Sequence, residues 1–418
     1  MRAILMSSNA ACTRFSARLI PLSSTLRGCS STAPWATYPS APHSRTAIHH
    51  ISALLLPNLG SSTRSQHTMT SNAAAWLTAE KAHPFEIKPA PLGTPGAGQI
   101  LVKNHAVAIN PIDNKLQQLA FYPLAYPTIL GQDVAGEIVT LGPDVAGFDV
   151  GDRVIGVTAG FSTKQNTEKA FQAYTILEAR LTSKIPETIP FERGVVLPLA
   201  VATAASGLFN PDFLALQLPT TPARQPTGET LLVWGGASSV GSSAIQLAVA
   251  AGYEVVTTAS PSNFAYVTGL GASHVLDYRS GSVVDEVLAV LEGKTLAGAF
   301  DAVGGPAWVP TAQIVHLHKT YRSSGDGDGA PKKFVATVTP RFPEPPAGVT
   351  MKQMYALSIR DNNVAAAIWG DFLPKALREG SFVPAPEPLV VGHGLENIQA
   401  GVDLLGKGVS ARKVVVTL

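Results

Sequence analysis

From Ala73 to about Pro198 the chain carries short apolar runs broken every few residues by glycine or aspartate. "GQILVKNHAVAIN" alternates in places and is rich in β-branched residues. "GQDVAGEIVTLGPDVAGFDVGDRVIGVT" sets glycines between brief hydrophobic stretches. Such punctuation predicts short strands in a small, strongly bent barrel or sandwich. The pattern turns helical over Val195–Leu208. After a Pro- and Thr-rich loop, Leu218–Gly228, "ETLLVWGGASSVGSSAIQLAVAAGYEVVTTAS" reads as buried strand, glycine turn, apolar helix and second strand. "GASHVLDYR" and "GAFDAVGG" supply further strands. Strands alternating with helices predict a parallel, doubly wound sheet. A helix is expected near Trp369–Glu379, and the final strand, "ARKVVVTL", is expected to return to the first domain.

Composition fits this two-part α/β picture. The 418 residues are 45% hydrophobic and 14% charged, with formal net charge +2. No Lys/Arg cluster of the kind that neutralises phosphates is present, so a nucleic-acid groove is not expected. Apolar runs such as Ala297–Val303 and Ile51–Pro57 are too short to span a bilayer. Both cysteines, Cys12 and Cys29, lie near the N-terminus. The folded body therefore has neither a disulfide framework nor thiolate ligands for zinc.

The N-terminal stretch differs. Glu80 is the first acidic residue, while Arg2, Arg14, Arg18, Arg27, Arg45 and Arg64 are scattered among Ser, Thr and Ala. That is the composition of a mitochondrial transit peptide. Met69 also opens a natural start for a compact enzyme, so an over-extended reading frame or a disordered tail are the alternatives. Residues 1–68 are set aside from the fold. A transit peptide implies mitochondrial localisation, and its absence cytoplasmic localisation.

The sharpest local signal is Gly236-Ala237-Ser238-Ser239-Val240-Gly241. Read as G-x-G-x-x-G, Gly236 and Gly241 hold the first and third positions and Ser238 replaces the second. The first glycine makes the tight turn, the second lets backbone approach a pyrophosphate, and the third lets helix pack close to strand. The following helix offers free N–H groups to phosphate. Dinucleotide binding is expected. At the end of the second strand, where an NAD site usually carries an acid, the chain has Ser260-Pro261-Ser262-Asn263. Glu254 stands at the strand's start, out of reach. No acid repels a 2′-phosphate there, so NADP(H) is expected, with Arg279 as the nearest cation.

The segments "NPIDNK" (110–115), "ILGQDVAGEIVTLG" (129–142), "FDVGDRVIG" (148–156), "LPLAVATAASGLF" (197–209), the glycine turn, "LGASHVLDY" (270–278) and "FDAVGG" (300–305) follow in a specific order. The chain thereby resembles the medium-chain dehydrogenase/reductase superfamily in its zinc-free, quinone-oxidoreductase-like branch. It is similar to fungal "zinc-binding dehydrogenase" proteins and to trans-acting polyketide enoyl reductases. The resemblance implies a GroES-like catalytic domain (69–197 plus 346–418) and a Rossmann domain (198–345). It implies that Asn110, Pro111, Ile112 and Asp113 flank the nicotinamide with Thr203 near. Ser238, Ser239, Val240 and Gly241 would cradle the pyrophosphate. Ser260, Pro261, Ser262, Asn263 and Tyr278 would surround the adenosine phosphate. Val303, Thr337, Val409 and Ser410 would complete the cofactor pocket.

Zinc-using relatives carry Cys at the "NPID" turn and Gly-His-Glu where this chain has Gly131-Gln132-Asp133. Zinc favours thiolate and imidazole ligands, and neither occurs here, so no metal is expected. His316 and His318, at i and i+2, would share a strand face, yet the histidines show no metal spacing. Without a Lewis acid, hydride delivery to an activated C=C is easier than alcohol oxidation, because the substrate's carbonyl takes the charge. Tyr122, in the Tyr-Pro context of the mitochondrial enoyl-reductase relatives, is the leading proton donor or oxyanion partner. Packing at the domain edge is its alternative role. Tyr126 is a weaker candidate. Asp133 is expected to orient the pocket, and Phe161, Phe171 and Tyr174 either line the substrate side or belong to the core. The expected function is NADPH-dependent reduction of an enone, enoyl thioester or quinone by a monomer or homodimer. A non-catalytic NADPH-binding protein is the alternative, and a zinc-type alcohol dehydrogenase the remaining class.

Overall fold

The computed structural model describes residues 71–322 and 332–418. The N-terminal extension and both cysteines lie outside that range.

The first lobe is β-rich. Strands β1 (Asn72–Leu77), β2 (Glu86–Ala90) and β4 (Thr128–Ile129) form a small sheet in the order β2-β1-β4. The main sheet holds β3 (Gln99–Ala108), β5 (Asp133–Leu141), β6 (Arg153–Val157), β7 (Tyr174–Glu178) and β8 (Thr182–Lys184). Its inward residues, such as Ile100, Val102, Val134, Ile138 and Val154, are buried together. Glycine keeps the strands close: a Cβ on Gly136 would stand 2.0 Å from the Lys103 carbonyl oxygen. The helices here are α1 (Pro111–Leu119), α2 (Gly160–Thr163) and α3 (Phe191–Gly194).

Helix α4 (Pro198–Phe209) carries the chain into the second lobe. Phe191–Phe209 is long and apolar enough to cross a membrane, but 78% of its apolar window is buried inside the protein. It is a core helix joining the lobes. The second lobe is a parallel sheet of β9 (Glu229–Trp234), β10 (Glu254–Ala259), β11 (His274–Asp277), β12 (Thr295–Asp301), β13 (Phe334–Thr337) and β14 (Thr350–Gln353), in the order β11-β10-β9-β12-β13-β14. Counted from β9, this is the doubly wound order 3-2-1-4-5-6, whose strand direction of growth reverses between β9 and β12. Helix α5 (Ser239–Ala250) follows β9.

Two sequence expectations need correction. The boundary at 345/346 is too early. β14 pairs with β13 in the parallel sheet, with Thr337 opposite Gln353. The helical stretch that follows packs on α4, where the hydroxyls of Ser206 and Ser358 meet at 2.7 Å. Only at β15 (Glu387–His393) does the chain rejoin the first lobe, where β16 (Arg412–Thr417) lies between β15 and β3. His316 and His318 do not share a strand face either. His316 ends the helix Trp308–Leu317 and faces the Ala347 carbonyl, while His318 lies just beyond and faces the Lys294 carbonyl. The mostly apolar run ahead of "HLH", Trp308–Val315, carries a helix as far as Leu317 that alternation at two positions cannot reveal.

Candidate functional site

Strands β9, β10, β11, β12 and β13 all end at one edge of the parallel sheet, and that edge gathers most of the expected cofactor residues. At the reversal point, Gly235 takes φ +83. The tight turn expected of Gly236 therefore belongs to Gly235, which the tandem glycine could have signalled. Gly236 instead supplies room, since a Cβ there would stand 2.3 Å from the Thr257 hydroxyl. A Cβ on Gly241 would stand 2.2 Å from the Gly235 carbonyl oxygen. Ser238 caps α5: its hydroxyl accepts from Gly241 N–H at 3.0 Å and donates to the Gly235 carbonyl at 2.9 Å. It thus shapes the turn, and the part-exposed first residues Ser239 and Val240 present the free N–H groups of the helix start. Val303 lies over Gly235 from the end of β12. The turn is a cradle sized for backbone approach, and it fits a pyrophosphate.

Beside it, Ala259 pairs with Asp277, so Ser260 and Tyr278 leave neighbouring strands together. Ser260 and Ser262 hydroxyls are 3.2 Å apart, and the Asn263 amide donates to Ser260 at 3.0 Å. The same amide donates to Ser410 of the first lobe at 3.1 Å, joining two expected cofactor residues across the cleft. Pro261 opens the short turn that presents them. Arg279 lies over the Tyr278 ring at 5.7 Å and is paired with Asp277. Thr337 is different: its side chain is buried and its hydroxyl donates to Asp301 at 2.7 Å. Asp301 also accepts from Val303 and Gly304 N–H. Thr337 therefore braces the strand ends rather than facing the cleft.

On the barrel side, "NPID" forms the start of α1, with Pro111 and Ile112 in its first turn. Asn110 and Asp113 are almost wholly buried and point into a polar network. The Asn110 amide donates to Asp133 at 2.8 Å; Lys413, from β16, lies 2.9 Å from Asp133 and donates to Asn110. Asp133 also accepts from Leu199 N–H at 2.6 Å, tying the network to the first turn of α4. Thr203 lies one turn further along and donates back to the Leu199 carbonyl. Asp113 accepts from Asn110 N–H at 2.8 Å and Gly131 N–H at 3.2 Å. Burial is the main cause that lifts its pKa to about 7; the Asp133 charge adds to this, while those hydrogen bonds and Lys413 oppose it. Lys413 was missed by sequence reasoning. It follows Arg412 at the start of the final strand, and nothing local marks it as the buried one.

A small cavity adjoins this network, lined by Asp113, Leu116, Leu124, Ile129, Leu130, Gly131, Gln132, Phe161 and Lys169. Tyr122 is partly exposed and packs on Phe161 at 4.9 Å between ring centroids. Phe161 thus belongs to this site. Phe171 is core, buried against Phe85, and Val409 packs on the barrel core. Next to Phe161, the Ser162 and Tyr355 hydroxyls meet at 2.5 Å and bridge the lobes.

The family profile described as "Alcohol dehydrogenase GroES-like domain" matches residues 96–187, and that of "Zinc-binding dehydrogenase" matches residues 239–325. The chain is 51% identical over 348 residues to the zinc-binding alcohol dehydrogenase domain-containing protein cipB of Emericella nidulans, covering 83% of this chain and 98% of that one. It is 38% identical to the trans-enoyl reductase himH of Aspergillus japonicus, covering 83% and 97%. The chain belongs to the medium-chain dehydrogenase/reductase superfamily. As a member it is an oxidoreductase with a nicotinamide cofactor. Its fold matches the mycobacterial Rv1454c complexed with NADPH, with TM-score 0.63 at 21% identity over 83% of this chain and 100% of that one. The zinc of the family's name finds no ligand set here. Among the described residues no three His, Cys, Asp or Glu side chains converge to hold a metal. Gln132 lines the cavity, and Asp133 is already committed to Lys413.

Proposed function

We propose that this protein is a zinc-independent, NADPH-dependent reductase of an activated C=C, in an enone or enoyl thioester, or of a quinone. One observation carries the reading. Beside a dinucleotide cradle, the catalytic end of the cleft offers Gln132 and a buried Asp133–Lys413 pair where a Lewis acid would need ligands. Alkoxide formation then has no metal to lower its pKa. An activated alkene needs none, because its own carbonyl accepts the charge.

The bound cofactor supplies the hydride. The glycine turn and the start of α5 would hold its pyrophosphate, and Ser260, Ser262 and Asn263 would donate to a 2′-phosphate. The Asn110–Asp133–Lys413 network fixes the start of α1 against α4. Tyr122, packed on Phe161 of the cavity lining, would supply a hydroxyl for a substrate oxygen or for proton delivery. The himH enzyme is by name a trans-enoyl reductase, which agrees with this substrate class. The test is NADPH consumption against enones, enoyl thioesters and quinones, with products checked for a saturated C=C or hydroquinone, before and after dialysis against chelator. Turnover that survives chelation is expected. Tight NADPH binding with no turnover would favour a non-catalytic binding protein, and loss of stoichiometric zinc together with activity would overturn metal independence.

A further inference from the structure

Lys169 is a buried charge that the scheme above leaves unused. It follows the turn Asn166–Glu168 and is only 8% exposed. Its stem lies over Gly160, where a Cβ would come within 2.5 Å of the lysine Cγ. Nζ donates to the Thr128 hydroxyl at 2.6 Å and to the Asn166 side-chain carbonyl at 3.0 Å. Both acceptors are neutral. An ammonium has three protons, so one donor remains without a partner among the described residues. Buried charges are ordinarily paired. Here burial alone pushes the lysine pKa down to about 8.

The unpaired donor is placed where it can be used. Lys169 lines the cavity together with Leu116, Leu124, Ile129, Gln132 and Phe161. The cavity measures about 10 Å³, room for one water-sized group. It therefore suits a single oxygen atom, with the rest of the molecule outside. We propose that Lys169 is a further catalytic residue, donating a hydrogen bond from Nζ to the substrate's carbonyl or quinone oxygen as negative charge develops there. The proposal rests on the reductase reading. For an enone, the reductant is NADPH: a hydride forms the new C–H bond at the β-carbon, and the C=C electron pair shifts to give an enolate oxygen. A proton from water then completes the α-carbon. Lys169 remains an ammonium throughout. The titratable groups around it are Asp113, held by Asn110 and Gly131 N–H, and Glu168, which turns away to Gln99 and Thr163.

The full-length protein and its Lys169→Met and Lys169→Arg variants provide the test. Lys169→Met leaves no orphan behind, because the Asn166 carbonyl still accepts from Thr128 and from Ile129 N–H. It should lower kcat by about 100-fold, the scale of one lost oxyanion donor, with NADPH affinity unchanged. Its Tm should not fall, since an unpaired buried charge gives way to an apolar chain. Lys169→Arg should restore part of the rate. A second readout needs no turnover: p-nitrophenol bound in the presence of NADP+ should ionise about one pH unit or more lower in the wild type than in Lys169→Met, a tenfold stabilisation of the oxyanion. Nitrophenol that fails to bind, or that ionises alike in both proteins, overturns the proposal. So does an unchanged kcat with a lowered Tm, which would make Lys169 a structural tie between Thr128 and Asn166. If the wild type reduces no acceptor, the reductase reading fails, while the nitrophenol titration still decides whether Lys169 stabilises a bound oxyanion.

Discussion

Tyr122 is where a single atom separates chemistry from packing. Tyr122→Phe removes the hydroxyl and leaves the ring on Phe161. If that hydroxyl bonds the enolate or moves the proton, kcat should fall by about 10²-fold with NADPH affinity intact. Steady-state rates on several enones check this, and an unchanged kcat would return the residue to a packing role. Ser260 sets the other end of the cleft. NADPH should bind at least about tenfold tighter than NADH, roughly 1.4 kcal/mol. Ser260→Asp should reverse that order by setting a carboxylate against the 2′-phosphate; fluorescence titration with both cofactors measures it, and equal affinities in the wild type would refute the NADPH preference. The place of Ser260 at the end of the second strand was legible from its distance to the glycine turn. Lys413 and Lys169 were not. Their meaning lies in partners far along the chain, Asp133 for one and Thr128 for the other, and no local pattern encodes such pairings.

At the scale of elements, most of the doubly wound sheet could be read from the chain. Buried strands such as "LLVW" and "AGAF" are continuous apolar runs, and helices alternate with them. The sixth strand escaped because "TMKQ" is short and polar, and only Met351 is buried in it. Edge strands lack the two-sided burial that makes the others conspicuous. The glycine turn was legible in outline, while the division of labour between Gly235 and Gly236 needed backbone angles. That division yields a prediction. In Gly241→Ala the new Cβ would meet the Gly235 carbonyl at 2.2 Å and the Gly236 Cα at 2.8 Å, both backbone atoms. Helix α5 must then move off the turn. NADPH affinity should drop by more than about tenfold, roughly 1.4 kcal/mol, measured by titration. Retained affinity would show that the helix can shift without disturbing the phosphate site.

In the molecule as a whole, a single buried cluster runs from the barrel residues Ala108, Ile155 and Val157 through α4 to Leu231 and Phe300. Arg360 of the second lobe pairs with buried Glu178 of the first, and Asp133 holds the start of α4. Unfolding should therefore involve both lobes together, and buried titrating groups within either lobe should register in global stability. Asp113 carries the clearest sign. Its pKa rises from 3.8 to about 7, chiefly by burial. Between those values the native state keeps a proton that the unfolded chain has released. Stability must then fall as pH rises from about 4 to about 7 and level off above, since the slope follows the difference in bound protons. Lys169, lowered to about 8, acts only at higher pH, where its native state releases a proton first and stability rises again. Asp113→Asn should remove the lower slope. It should also destabilise by about 1–3 kcal/mol, because an amide NH2 must then face Asn110 or Gly131 N–H in place of an acceptor. Urea unfolding of wild type and variant at about pH 5, 6, 7 and 8 distinguishes the cases. Parallel profiles would mean that the backbone N–H groups and Lys413 outweigh burial, leaving Asp113 ionised in the native protein at the lowest pH.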